Sequence, residues 1–254
     1  MKYNLACLFD FNKQSESVLE YASALAVSMD AELIVVHNIA MPVFTDTNLN
    51  HFQNLMMDRI ESKVTAILTS IKLLMIEKNS GLKIRSVHVN GLSDKTINDF
   101  CRFIEADILL VGADSLNKSI GLLHNNHSSG IVKHAYCPVL IVPRNYKFNG
   151  MCNIAYTADW EIAKSKIGQS LFSFAKTFNA QISILFIDTQ HSLVSQNDLK
   201  NLGNKIKALL KYDRLAGYYI FDNNIENGIL HFVKSVKPDL MVLKLEGNKT
   251  NYSN

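Results

Sequence analysis

The sequence predicts an α/β protein built from two doubly wound parallel sheets in tandem. Three observations carry this. Short apolar runs alternate with helical-period segments through the first half. The runs are apolar on both faces, as strands covered by helices on both sides must be. The second half then repeats the first at a fixed spacing.

In the first half, "NLACLFD" (Asn4–Asp10) is a β run. "SESVLEYASALAVSMD" (Ser15–Asp30) has Val18, Tyr21, Ala22 and Leu25 on one face, which predicts a helix with Ser15 as its cap. "AELIVVHNI" is a buried strand. An amphipathic stretch from about Asn48 to Asn79 follows, closed by Ser80-Gly81. Leu55, Met56, Ile60, Val64, Ile67, Leu68, Ile71 and Leu74 recur there at helical spacing, which predicts core or interdomain packing. "LKIRSVHV" is a third strand. "SDKTINDFCRFIE" is a helix capped by Ser93 or Asp94. "DILLVG" is a fourth strand, "GIVKHAY" a short helix, and "PVLIVP" a fifth strand between Pro138 and Pro143. Helical crossovers make these right-handed βαβ units.

The repeat has constant offsets. Ala31–Ile39 matches Ala180–Asp188, and Asp10 matches Asp159, both 149 residues apart. After the second helix the offset is 132: "VNGLSDKTINDFCRFIEADILLVG", from Val89, lines up with "FDNNIENGILHFVKSVKPDLMVLK", from Phe221, so that Ile97 meets Ile229, Phe100 meets Phe232 and Asp107 meets Asp239. This predicts domains over 1–144 and 152–254, joined by the short polar "RNYKFNGM". The second copy ends after its fourth strand, and Lys244 takes the place of Gly112. Its fourth strand is therefore expected to have an open edge, covered by the tail or by another chain.

Composition narrows the function. With 48% hydrophobic and 19% charged residues, the chain can bury substantial cores. A formal net charge of +3 with scattered basic residues gives no bulk attraction for nucleic acid or an anionic membrane. The N-terminus reads as a strand and not a signal peptide, and no apolar stretch reaches 18 residues, so a cytoplasmic protein is expected. Cys7, Cys101, Cys137 and Cys152 form no CxxC pair and read as buried thiols of a reducing compartment.

His37 and His88 lie in strands and read as satisfied sheet residues. His124 and His127 have helical metal-ligand spacing but no third ligand nearby, so no metal is assigned. "LKYDRLAGYYIFD" could stack single-stranded nucleic acid, but a strand with Tyr219 or Phe221 inward is favoured. No GxSxG, HExxH or GxxxxGK[ST] occurs, so no catalytic residues are assigned.

Ligands of such sheets sit beyond the strand C-termini, where strand order reverses. Asp10, Asn38 and the loop from Gly112 lie there. The segments "LFDFNKQSESVLEYA", "ELIVVHNI", "ADILLVG" and "VKHAYCPVLIVP" resemble the universal stress protein family, in a tandem form with a truncated second domain. The resemblance covers the family's whole domain in the first half, and the second half up to strand four. It implies flavodoxin-like, adenine nucleotide α-hydrolase-like domains, the two paired as an internal pseudo-dimer, with homodimers and protein partners expected. It implies a regulatory or protective stress-response module rather than an enzyme of rapid turnover.

Some members bind ATP through a loop patterned G-x2-G-x9-G-[S/T]. With the register anchored on His134-Ala135, Gly112 is the first glycine, and Ser115, Asn125 and Asn126 replace the other three positions. Asp10 matches the family's base-contacting aspartate, and Asn38 replaces a commonly apolar residue. These six residues form the candidate nucleotide site. Its degeneracy points to a module without ATP; the alternative is an ATP-binding switch with slow hydrolysis, in which Gly121, Ser128 and Ser129 supply flexibility and hydroxyls.

Overall fold

The structure is a computed structural model. It describes residues 3–39, 50–93, 95–113, 129–157, 166–189, 204 and 212–244. The chain divides into two compact units, Met1–Phe148 and Asn149–Asn254.

The first unit runs β1 (Asn4–Leu8), α1 (Lys13–Ser28), β2 (Glu32–Ile39), α2 (Asn50–Lys78), β3 (Lys83–Asn90), α3 (Ile97–Phe103), β4 (Ile108–Gly112), α4 (Ser129–His134) and β5 (Val139–Val142). Its strands are all parallel, in the order β3-β2-β1-β4-β5. Strand order reverses between β1 and β4. On one sheet face, Ala6, Leu8, Ile34, Val36, Leu109 and Val111 pack with Ile97, Cys101 and Ile131 into a buried core. Alternation sends Cys7 to the opposite face.

The second unit runs β6 (Asn153–Thr157), α5 (Lys166–Thr177), β7 (Gln181–Asp188), β8 (Leu215–Phe221), α6 (Ile225–Val236) and β9 (Leu240–Val242). Its order, β8-β7-β6-β9, repeats β3-β2-β1-β4. The repeat extends to backbone conformation. Asp30 and Asn179, 149 apart, are both left-handed, with φ 49° and 50°. Glu105 and Lys237, 132 apart, share the same state at 53° and 48°. Each follows a helix, where a left-handed residue satisfies the last carbonyls.

The registers correct one expectation. Leu33 pairs with Ile84 in one sheet, and Ile182 with Leu215 in the other. That puts β8 at an offset of 131 from β3 (215 − 84), not 132. A one-residue shift exchanges the faces of a strand. Tyr218 and Ile220 therefore meet the core around Phe232, while Tyr219 and Phe221 are exposed. The extra residue falls in the turn before α6.

Other expectations shift as well. Asn12, not Ser15, caps α1: its side chain accepts the N–H groups of Gln14 and Ser15 at 2.9 and 2.7 Å. Ser15 instead completes the capping box from N3, accepting the Asn12 N–H at 3.2 Å. The N-cap of α3 is Thr96, whose hydroxyl accepts the Ser93 N–H at 2.8 Å; Asp94 lies outside the described residues. In α2, Val64, Leu68 and Met75 are buried, but Leu55, Met56, Ile67 and Leu74 are exposed. At about 1.5 Å per residue this helix far outruns the strand β3 it packs on, so its apolar stripe is only partly covered. Cys152 is exposed, unlike the other three cysteines. The "RNYKFNGM" segment is not a free linker at its start, because Tyr146 and Phe148 set their rings against Tyr21 of α1, with centroids 6.1 and 5.4 Å away.

Candidate functional site

The C-terminal edge of the first sheet brings three candidate residues to neighbouring strands. Register pairs Leu8 with Val36, which carries Asp10 level with Asn38. Cys7 pairs with Leu110, which carries Phe9 level with Gly112. Asp10, Asn38 and Gly112 thus surround the point where strand order reverses, the usual position of a ligand crevice. Ser115, Asn125 and Asn126, together with Gly121, His124, His127 and Ser128, lie outside the described residues.

The side chains at this edge are turned to the protein. Asp10 Oδ2 accepts Asn12 Nδ2 at 2.6 Å, and Oδ1 accepts the Asn12 backbone N–H at 3.3 Å. Asp10 therefore holds the residue that caps α1. Asn38 binds the Leu92 backbone with both ends of its amide: Oδ1 accepts the N–H at 2.8 Å and Nδ2 donates to the carbonyl at 3.4 Å. This fastens the turn after β3 to the end of β2. Gly112 is buried in β4, opposite Val142 of β5, and Ala113 N–H donates to the Val142 carbonyl at 2.9 Å.

Sequence reasoning missed Phe11. Its φ of 60° is an outlier for a bulky side chain. The ring lies 4.2 Å from that of His37 and edge-on to Phe9 at 5.2 Å. His37 Nδ1 in turn donates to the Phe9 carbonyl at 2.7 Å. A chain that reverses between Asp10 and the Asn12 cap forces this conformation, and the aromatic packing offsets its strain. No sequence signal marks it, because Phe gives no hint of positive φ. Behind the edge, burial first and the Asp10 carboxylate second push the Cys7 thiol up to about 12.

In the second unit, Asp188 is buried at the end of β7 and accepts the Tyr219 hydroxyl. Asn224 caps α6, accepting the Glu226 N–H at 2.7 Å. His231 Nδ1 lies 3.5 Å from Asp222 Oδ2 on the surface. Among the described residues, no cluster of three or more His, Cys, Asp or Glu could hold a metal. No helix among them is long and apolar enough to cross a membrane.

The fold and this edge define a doubly wound α/β domain of the kind that takes ligands at its switch point. The chain belongs to the universal stress protein family, whose sequence pattern it matches over residues 4–143. No curated protein matches it. Among solved structures, it is similar to a universal stress protein from Archaeoglobus fulgidus DSM 4304 (TM-score 0.66, 15% identity, covering 94% of this chain and 84% of that one). It is likewise similar to a functionally unknown protein from Pseudomonas aeruginosa PAO1 (TM-score 0.60, 10% identity, covering 95% and 81%). Both likenesses span nearly the whole chain, so the presence of two such sheets in one chain is shared with those proteins.

Proposed function

We propose that this chain is a regulatory or protective module of the cytosolic stress response that acts through protein contacts and does not hold ATP. The observation that carries this reading is the commitment of the Asp10 and Asn38 side chains to structural bonds. A base-contacting aspartate must offer its carboxylate to the ligand; here both oxygens already serve Asn12. A commonly apolar position beside it holds an amide bound at both ends to Leu92. Freeing either side chain breaks a bond that fixes a helix start or a turn. The replacements Ser115, Asn125 and Asn126 in the phosphate loop support the same reading. In this reading the chain meets other proteins, including a second copy of itself.

Isothermal titration of the full chain with ATP and Mg²⁺ tests it. The proposal expects no saturable heat. Micromolar binding at one site per chain would overturn it in favour of an ATP-binding switch. Loss of that heat in Asp10→Ala would then place the site at this edge.

A further inference from the structure

Helix α2 carries more apolar surface than its own unit covers. Val64, Leu68 and Met75 are buried along one side of it. Leu55, Met56, Ile67, Leu73 and Leu74 stand 38–61% exposed on the other. At 3.6 residues per turn these five fall within an arc of about 120°. The pattern repeats along the helix. Leu55 and Leu73 are 18 positions apart, as are Met56 and Leu74, and that is five whole turns. Arg59 and Glu77 have the same spacing and lie in the same arc. Both are exposed, and neither joins an ion pair among the described residues. Between the two apolar ends, the exposed residues of this arc are Lys63, Ala66 and Ser70 beside Ile67.

We propose that this face is the seam of a homodimer, in which α2 packs antiparallel on α2 of a second copy about a two-fold axis at Ala66. A standard interface buries about 800 Å² per partner, of which about 450 Å² is apolar. Five large side chains, each about half exposed, supply roughly that apolar share. The axis makes the two ends self-complementary. It sets the Leu55–Arg59 turn of each chain against the Leu73–Glu77 turn of the other, so each apolar end covers its counterpart. The small side chain of Ala66 meets its own copy on the axis, which lets the helices approach to about 8 Å.

Charge decides the direction of packing. Side chains on a helix tilt toward its N-terminus. In the antiparallel pair, Arg59 of one chain and Glu77 of the other therefore lean toward each other, once on each side of the axis. A parallel pair would instead set Arg59 on Arg59, Lys63 on Lys63 and Glu77 on Glu77, and like charges repel. Exposed ion pairs of this kind fix register more than affinity, which the apolar ends supply. The seam rests on the proposed function in taking a second copy as a partner, and names the surface that meets it. It requires nothing of the edge at Asp10.

Sedimentation velocity of the full chain at rising concentration is expected to show a monomer–dimer equilibrium. Arg59→Glu and Glu77→Arg are each expected to weaken the dimer about tenfold, and the double variant to recover most of that loss. In a Cys152→Ser background, which removes the exposed thiol, Ala66→Cys is expected to give a disulfide-linked dimer on oxidation with copper phenanthroline. Thr65→Cys, a neighbour turned about 100° away from the seam, is expected not to. All four positions are exposed, so the variants keep the core intact. A dimer that ignores both charge variants, or in which Thr65→Cys links as fast as Ala66→Cys, would overturn the seam. So would a dimer that is dispersed by Ile141→Lys on β5, an outcome that leaves the proposed function standing. A chain that stays monomeric at every concentration would overturn the seam and remove the second copy from the proposed function as well.

Discussion

Asp107 and Asn4 clasp each other at the start of the first sheet. The Asp107 carboxylate accepts the Asn4 N–H at 2.8 Å, while its own N–H donates to the Asn4 carbonyl at 2.9 Å. Asp239 makes the same clasp in the second unit. Its Oδ2 accepts the N–H groups of Asn153 and Cys152 at 2.9 and 2.8 Å, and its N–H donates to the Asn153 carbonyl at 2.9 Å. Each aspartate fixes the fourth strand of its unit beside the first. Asp107→Ala is expected to destabilise the first unit by about 1 kcal/mol. Asp239→Ala is expected to cost the second unit more, because two N–H groups lose their acceptor. Urea titrations monitored by circular dichroism compare them; an unchanged midpoint for Asp239→Ala would remove the clasp from the account.

Asn38→Ala is expected to destabilise the first unit by about 1–2 kcal/mol, since the Leu92 N–H loses its acceptor and the turn after β3 its tether. Asn38→Val, which restores the apolar character common in the family, is expected to be destabilising too. If Asn38→Val left thermal stability unchanged, the amide would not be structural.

Phe232 is fully buried in the second core, while Phe221 faces outward on β8. Phe232→Ala is therefore expected to cost about 3–5 kcal/mol. Phe221→Ala is expected to cost far less. Equal losses in paired denaturation curves would contradict the register of β8.

Cys7 contributes a pH dependence whose sign is fixed. Its thiol is pushed up from an ordinary 9.0 to about 12. An unfolded chain loses that proton near pH 9, whereas the folded chain keeps it. The folded state thus binds more protons, and stability falls as pH rises. The contribution is complete below pH 9 and is lost toward pH 12, at a slope of about 1.4 kcal/mol per unit. Cys7→Ala is expected to flatten this alkaline decline. Parallel declines in the two proteins would show that Cys7 does not titrate as described.

The sequence carried the fold because the repeat constrains it twice. Offsets of 149 and 132 recur in strand registers and in the left-handed residues Asp30, Asn179, Glu105 and Lys237. What escaped it was local. The step to 131 in β8 is invisible where Tyr218, Tyr219, Ile220 and Phe221 are all apolar or aromatic, so neither face declares itself. The choice of Asn12 over Ser15 as cap depends on where the chain turns after β1, which the positive φ of Phe11 decides. At the candidate site, periodicity located Asp10, Asn38 and Gly112 at one edge. It could not show that the Asp10 and Asn38 side chains are bonded to Asn12 and Leu92, since side-chain direction leaves no trace in spacing.

On the proposed reading, this edge is committed to structure and not to a nucleotide. The most direct measurement is the melting temperature of the full chain with and without a large excess of ATP and Mg²⁺. A ligand at about 100 times its dissociation constant stabilises the state it binds by about 2.7 kcal/mol, a shift of several degrees. An unchanged melting temperature is expected. A rise of several degrees that disappears in Asp10→Ala would contradict it.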